Sequence, residues 1–488
     1  MVHSRTQHRS LLLGVLLTGI FMANVDVAIA NVATPSISQG LGATGAELQF
    51  VVAGYTLAYA MLLITGARLG DMRGYGRVFL AGSTVFTLAS LACGLAPNAI
   101  VLIVARIVQG AGAALMVAQV LSGIQLNFEE GPERARAIGL YAMALSVGAV
   151  AGQVLGGLVL SANLLGSTWR SAFLVNVPIG LALMAAVARF LPMKHGGRSQ
   201  QLDLRGVATL SVAILLLVVP LILGREQRWP IWTWACLVAS LPAFAIFAAV
   251  ERRLAARGGY PLLNLPVLTR PAVAWGLISS GATVGTYFAL LFVLALYLQQ
   301  GLGKTPLYSG LALVSWVAAF GISGLFPGRL PPARVPHVAV VGCLILAASY
   351  LGIGLSLLVG HSGEALLITL LGFGGLGLGL GRNLVVAHMT SSVPDRYAAD
   401  LSGLINTDSQ IFGVAGVAIF GTLYLSLAPE PGPGPAMWAF TIVNAAFALT
   451  ALLAAAATSR LIRRPTPSAL VVGRVGAWPS GRSARTGA

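Results

Sequence analysis

A chain of 488 residues that is 57% hydrophobic and only 9% charged, with a mean hydropathy of +0.86, is not a water-soluble globule; such proteins carry about 25% charged residues. Its net charge of +16 does not indicate nucleic acid, because the basic residues lie at the ends of apolar runs instead of in one patch. Cys93, Cys236 and Cys343 fall far apart within apolar runs and lack metal-ligand spacing, so they read as small core residues.

Each bilayer crossing by a helix takes about 20 apolar residues. Fourteen such runs are expected, the first eight at roughly 11–33, 47–66, 78–96, 100–125, 137–160, 170–191, 207–224 and 230–250. The remaining six are expected at roughly 271–298, 306–327, 336–359, 364–389, 400–427 and 436–459. With the N-terminus on the cytoplasmic side, that face collects nearly all the arginines and lysines, while only Arg170, Arg225, Arg228 and Lys304 fall outside. This asymmetry follows the positive-inside rule and predicts a multi-pass protein of the plasma membrane with both termini cytoplasmic. The basic start followed by an apolar run imitates a cleavable signal, but the run is long and thirteen further spans follow.

Taken in chain order, the first span carries Asp26 and Asn31 ahead of Pro35. An ionisable group inside a span costs about 2.5–3.5 kcal/mol on insertion scales, so it faces a cavity or a partner. Asp26 is therefore either a functional carboxylate or a buried structural one. The second span holds Tyr55 and Tyr59 at helical spacing, suited to lining a cavity or simply to packing. It ends in a polar turn from Gly66 to Arg77, where Asp71 lies among Arg68, Arg73 and Arg77 and four glycines let the backbone bend.

This turn resembles the loop G-x-L-x-D-x-x-G-R-R of the major facilitator superfamily, through Gly66, Arg68, Leu69, Gly70, Asp71, Gly74 and Arg77. The resemblance implies a gate in which Asp71, Arg68 and Arg77 hold the cytoplasmic face closed. It extends back to the first span, where Asp26, Asn31, Ala33 and Pro35 match D-x-T-x-V-N-x-A-x-P of the fourteen-helix drug:proton antiporters, with Ala28 in place of Thr. In the fourth span Arg106, Gln109, Gly110 and Gly112 match R-x-x-Q-G-x-G-A-A. An embedded guanidinium needs a counter-charge, carbonyls or water. Asp26 is the candidate partner for Arg106, and snorkelling to the interface is the alternative.

In the fifth span Gly148, Gly152 and Gly156 form one smooth stripe that admits a neighbouring helix. With Gly157 they resemble the exporter motif G-x-x-x-G-P-x-x-G-G, except that Gln153 replaces its proline. Trp169, Arg170, Phe173, Asn176, Pro178 and Gly180 follow as W-R-x-x-F-x-x-N-x-P-x-G, which resembles the opening of helix 6 in the fourteen-helix branch. A weak copy of the polar turn, without its Asp, runs from Gly321 through Gly328 and Arg329 to Arg334. In the second half Gln299, Arg382 and Asn406 are further cavity candidates. Asp408 is either a second titratable carboxylate or the counter-ion of Arg382.

The fold expected is all-α and polytopic: a major facilitator fold with a six-helix bundle over 1–195, two additional helices in 196–265, a second six-helix bundle over 266–464 and a disordered tail over 465–488. The resemblance implies a proton-coupled antiporter that exports small hydrophobic or amphipathic molecules, with Asp26, Arg106 and Asp408 in proton coupling. Asn31, Tyr55, Tyr59, Gln109, Gln153, Gln299, Arg382 and Asn406 are assigned to the substrate cavity. A uniporter or importer of the same fold is the alternative, followed by a non-transporting sensor. No enzyme is expected, since nucleotide loops, nucleophile elbows and metal spacings are lacking and His361 and His388 stand alone. No cofactor is expected beyond a proton gradient, nor any partner beyond lipid, protons and substrate, and a monomer would suffice.

Overall fold

The computed structural model describes residues 2–462 except 130, 163–167, 192, 194–202, 260–264, 325–330, 332–333, 360–362, 395–396 and 431. The expected tail, most of the stretch 192–203 that leads into the two additional helices, and Gly328 and Arg329 of the second turn lie outside the described residues. Fourteen helices are long and apolar enough to cross a membrane. They are α1 Arg9–Leu41, α2 Gly45–Arg73, α3 Tyr75–Gly94, α4 Ala99–Asn127, α5 Pro132–Ala162, α6 Ser171–Phe190 and α7 Leu204–Leu223. The other seven are α8 Ile231–Ala256, α9 Pro271–Gly301, α10 Pro306–Ser323, α11 Val335–Leu358, α12 Glu364–Ser392, α13 Leu401–Leu427 and α14 Pro433–Leu461. Among the described residues there is no strand, as a bilayer requires of any span whose backbone must satisfy itself.

Helix ends follow local chemistry. Thr44 caps α2 in a reciprocal box: the Glu47 amide donates to the Thr44 hydroxyl at 3.3 Å and the Thr44 amide to the Glu47 carboxylate at 2.8 Å. Gly74 joins α2 to α3 at φ 93°, a backbone angle that only glycine adopts freely. Helix α1 outruns its expected end near residue 33, passes through Pro35 and continues to Leu41. A proline within a helix removes one backbone hydrogen bond without forcing the chain to stop. Along α9 the final turn from Tyr297 to Gly301 is a π-turn.

Helices α1 to α6 pack on one another, with α4 between α2 and α3, and α5 along α1. A second group forms from α9 to α14, with α11 between α12 and α14 and α13 along α9. The groups meet where α5 crosses α10, α2 lies along α13 and α1 touches α9, while α7 and α8 pair together and α7 reaches both α2 and α13. Outward surfaces remain apolar, with Ile100, Val104, Leu158, Leu241 and Leu453 exposed, which is the surface that lipid covers. Because lipid is as apolar as these side chains, helix association depends on close backbone approach. Gly110 provides one such approach, facing the main chain of Tyr55 directly.

Candidate functional site

Asp26 and Arg106 are both 1% exposed and form an ion pair at 2.5 Å in the middle of the first group. The position of Asp26 on α1 and of Arg106 on α4 places opposite charges on facing helices, and the resulting pair is surrounded by donors. The amide nitrogens of Gln109 on α4 and Asn176 on α6 donate to the other carboxylate oxygen at 2.8 and 2.7 Å. Arg106 further donates to the Gln109 side-chain oxygen at 2.6 Å and, through Nε, to the Val51 carbonyl at 3.0 Å. Gln109 also donates to Ser90 at 2.8 Å. The carboxylate thus accepts three hydrogen bonds and donates none, an arrangement suited to its ionised form. Tyr55 lies under this cluster, its ring 4.3 Å from the Arg106 guanidinium.

On its other side Tyr55 faces a central cavity of about 190 Å³. The wall includes Asn24 from α1, Thr56 and Tyr59 from α2, Tyr141 from α5, Phe288 from α9, and Asn406 and Gln410 from α13. A larger cavity of about 690 Å³ follows towards the face where α1 begins, between α1 and the α4–α5 turn. Its wall carries Leu13 and Leu17 of α1 and Arg136 and Leu140 of α5, so the two cavities succeed one another along the same faces of α1 and α5. The larger cavity, walled by the first group alone, thus lies in line with the central one towards the face on which α1 begins.

The opposite half is closed by contacts between the two groups. Gln49 of α2 and Thr422 of α13 bond at 3.3 Å, Gln299 donates to the Val32 carbonyl at 3.0 Å, and the Leu307 amide donates to the Ser161 hydroxyl at 3.2 Å. The extra helices strap this closure: Thr422 donates to the Leu221 carbonyl of α7 at 3.1 Å, and Glu226, in the α7–α8 turn, accepts the Ala46 amide at 2.8 Å. Glu226→Ala should loosen it. Losing a hydrogen bond of this kind is worth about 1 kcal/mol, so the open fraction should rise about fivefold. Faster maleimide labelling of Leu425→Cys in a background without the native cysteines would register the change.

The residues expected in the cavity divide accordingly. Tyr55, Tyr59 and Asn406 line it, whereas Asn31, Gln109, Gln153, Gln299 and Arg382 do not. Asn31 turns back to bond the Val27 carbonyl of its own helix at 2.9 Å, and Gln109 belongs to the ion-pair cluster. Gln153 is buried where α5 meets α10, its main-chain carbonyl against Gly310. Gln299 belongs to the closed half. Arg382 donates to Ser409 at 2.9 Å and makes no ion pair with Asp408, whose buried Oδ2 takes no hydrogen-bond partner. Arg68 and Arg77, expected with Asp71 in a gate on this side, both engage interaction partners.

The glycines of α5 face two neighbours. Gly148, Gly152 and Gly156 lie against Phe21, Val25 and Ile29 of α1, and Gly157 against Leu307 of α10. Sequence reasoning missed Asn176, Tyr141 and Gln410 as site residues. Asn176 was already visible as the Asn of the motif opening the sixth span, and Gln410 follows Asn406 by one helical turn.

A sequence profile described as Major Facilitator Superfamily matches residues 16–417. The chain belongs to that superfamily. Its relatives include transporters of drugs and antibiotics. It is 34% identical over 420 residues to a probable actinorhodin transporter of Streptomyces coelicolor, covering 85% of this chain and 72% of that protein. It is 35% identical over 433 residues to the cephamycin export protein CmcT of Amycolatopsis lactamdurans, covering 86% of each. It is also 33% identical over 406 residues to the drug efflux pump JefA of Mycobacterium tuberculosis, covering 83% of this chain and 78% of the pump. Among solved structures, a bacterial homologue of the human lysosomal transporter Spinster has the same fold, with a TM-score of 0.66 at 17% identity over 94% of this chain and 99% of that one. This member of the superfamily is accordingly a fourteen-span membrane transporter related to efflux pumps, and not an enzyme.

Proposed function

We propose that this protein is a proton-coupled antiporter that exports small organic molecules across the plasma membrane by alternating access. The observation that carries this reading is the ion pair of Asp26 and Arg106, buried in the first group beside a cavity that lies in line with a larger one towards one face, while the other face is closed. The positive-inside bias supports a cytoplasmic placement of the face on which α1 begins, with both termini there, and in this reading a monomer suffices for transport. The units that rock are the bundles 1–195 and 266–464, with the two helices of 196–265 strapping their outer ends.

In the cycle, a proton arriving from the outer side neutralises Asp26. That cancels its attraction for Arg106 and releases Gln109 and Asn176 from it. Neutralising Asp26 leaves the buried Arg106 charge unbalanced, a cost of about 3–5 kcal/mol that favours a state in which the guanidinium finds other partners. Release of the proton to the cytoplasm restores the arrangement seen here. Substrate couples to the exchange only if it binds the two states differently, and Tyr55, which touches both the cavity and Arg106, is the contact through which it does so. Asp408, whose buried Oδ2 takes no hydrogen bond, is a second candidate for proton uptake in the other bundle. The relatives that export or resist antibiotics support the direction of transport.

Reconstitution into liposomes under an imposed pH gradient tests this reading. Movement of a drug that a protonophore abolishes and sodium removal does not affect is the expected result. A uniporter remains the second reading because Gln153 stands where exporters carry proline. Gradient-independent movement would favour it.

A further inference from the structure

Among the described residues no carboxylate, imidazole, ammonium or guanidinium lines the central cavity. Both carboxylates near it are withheld. Asp26 is occupied by Arg106, Gln109 and Asn176. Asp408 lies two residues from both Asn406 and Gln410, about 200° around α13 from Asn406, and so on the helix face turned from the cavity. A ligand carrying a full charge would enter without a counter-charge, at a cost of several kcal/mol. Cation–π attraction offsets this little at Tyr55, because that ring already takes the Arg106 guanidinium.

Uncharged hydrogen-bonding capacity, by contrast, is left over. The Tyr55 hydroxyl, the Thr56 hydroxyl and the Asn24 amide nitrogen are used within the protein, on the carbonyls of Ala23, Val52 and Ile20. The hydroxyls of Tyr59 and Tyr141 and the side-chain amides of Asn406 and Gln410 take no partner among the described residues. Each of these four groups can both donate and accept. Aromatic rings line the same cavity, those of Tyr55 and Tyr59 parallel within 6° at 6.4 Å.

We propose that the cavity selects uncharged, planar aromatic molecules bearing hydroxyl and carbonyl groups. Tyr59, Tyr141, Asn406 and Gln410 read the polar edge of the ligand, while the aromatic rings take its face. Such a ligand satisfies the four open groups and introduces no unpaired charge. The proposal rests on the reading of this cavity as the substrate site and names the substrate class for it.

Equilibrium binding to the purified full-length protein in nanodiscs, followed by tryptophan quenching, tests it with three probes. These are 1,8-dihydroxyanthraquinone, the hydrocarbon anthracene, and the cation tetraphenylphosphonium. The dihydroxyanthraquinone should bind at least about tenfold more tightly than either of the others, a difference of about 1.4 kcal/mol. In the double variant Asn406→Leu with Gln410→Leu, its advantage over anthracene should disappear while anthracene binds as before. A merely structural role for the two amides would weaken both probes alike. Equal or tighter binding of the cation, absence of dihydroxyanthraquinone binding, or persistence of its advantage in the double variant would each overturn the proposal. Binding is measured without a gradient, so selective binding with no proton-driven movement would sink the antiporter reading and leave this one standing.

Discussion

Asp26→Asn is expected to abolish movement driven by a proton gradient, at least about a hundredfold below the parent in liposomes, while the protein still inserts. Asparagine is nearly isosteric and keeps an oxygen for Gln109 and Asn176, but it neither carries a proton through the cycle nor balances Arg106. An unbalanced buried guanidinium is costly, about 3–5 kcal/mol, so thermal stability in detergent should fall as well. Two further variants separate these effects. Asp26→Asn with Arg106→Gln removes both charges and should recover stability without recovering driven transport. Arg106→Lys keeps a charge but loses the fork that reaches Val51, Asp26 and Gln109 together, and about a tenfold loss is expected. Driven transport at the parental rate in Asp26→Asn would remove this carboxylate from the mechanism.

The second large effect is expected on the smooth face of α5. A Cβ at Gly152 would lie 2.6 Å from the Ala28 side chain and 2.8 Å from the Val25 carbonyl, and main chain cannot move aside as a side-chain tip can. Gly152→Val should therefore push α5 off α1, destabilising the protein by about 1–3 kcal/mol and stopping transport. Gly148→Ala, whose nearest neighbours would lie at 3.2 Å, should be milder and keep most activity. Gly157→Val acts elsewhere, because its Cβ would meet the Leu307 main chain of α10 at 2.7 Å. That variant should hold the far face open while the first bundle stays intact, which reporter cysteines on that face would detect as fast labelling. A melting temperature for Gly152→Val equal to that of the parent would exclude the close-packing account.

These two predictions draw on different levels of information. The pairing of Asp26 with Arg106 was legible because an isolated charge in a span needs an opposite charge, and few were available. The glycine stripe was legible because a four-residue repeat is one helix face. Two of the other cavity expectations, Asn31 and Gln299, were not met because a polar residue in a span satisfies itself wherever a carbonyl is near. Asn31 found one on its own helix, and Gln299 found one across the closed half. Sequence spacing does not distinguish these outcomes from exposure to a cavity.

Composition and periodicity alone determined that the chain is a fourteen-span membrane protein and which face of each major motif is special, because lipid punishes every unpaired polar group and so writes helices into hydropathy. Tertiary packing alone decided that Asn176 joins the buried ion pair, that Asp408 turns away from the cavity beside it, and that one face is closed. Those outcomes depend on how helices distant in the chain are rotated and tilted against each other. Side-chain contacts across such interfaces shift with a fraction of a helical turn, a quantity that residue order along a single helix does not contain.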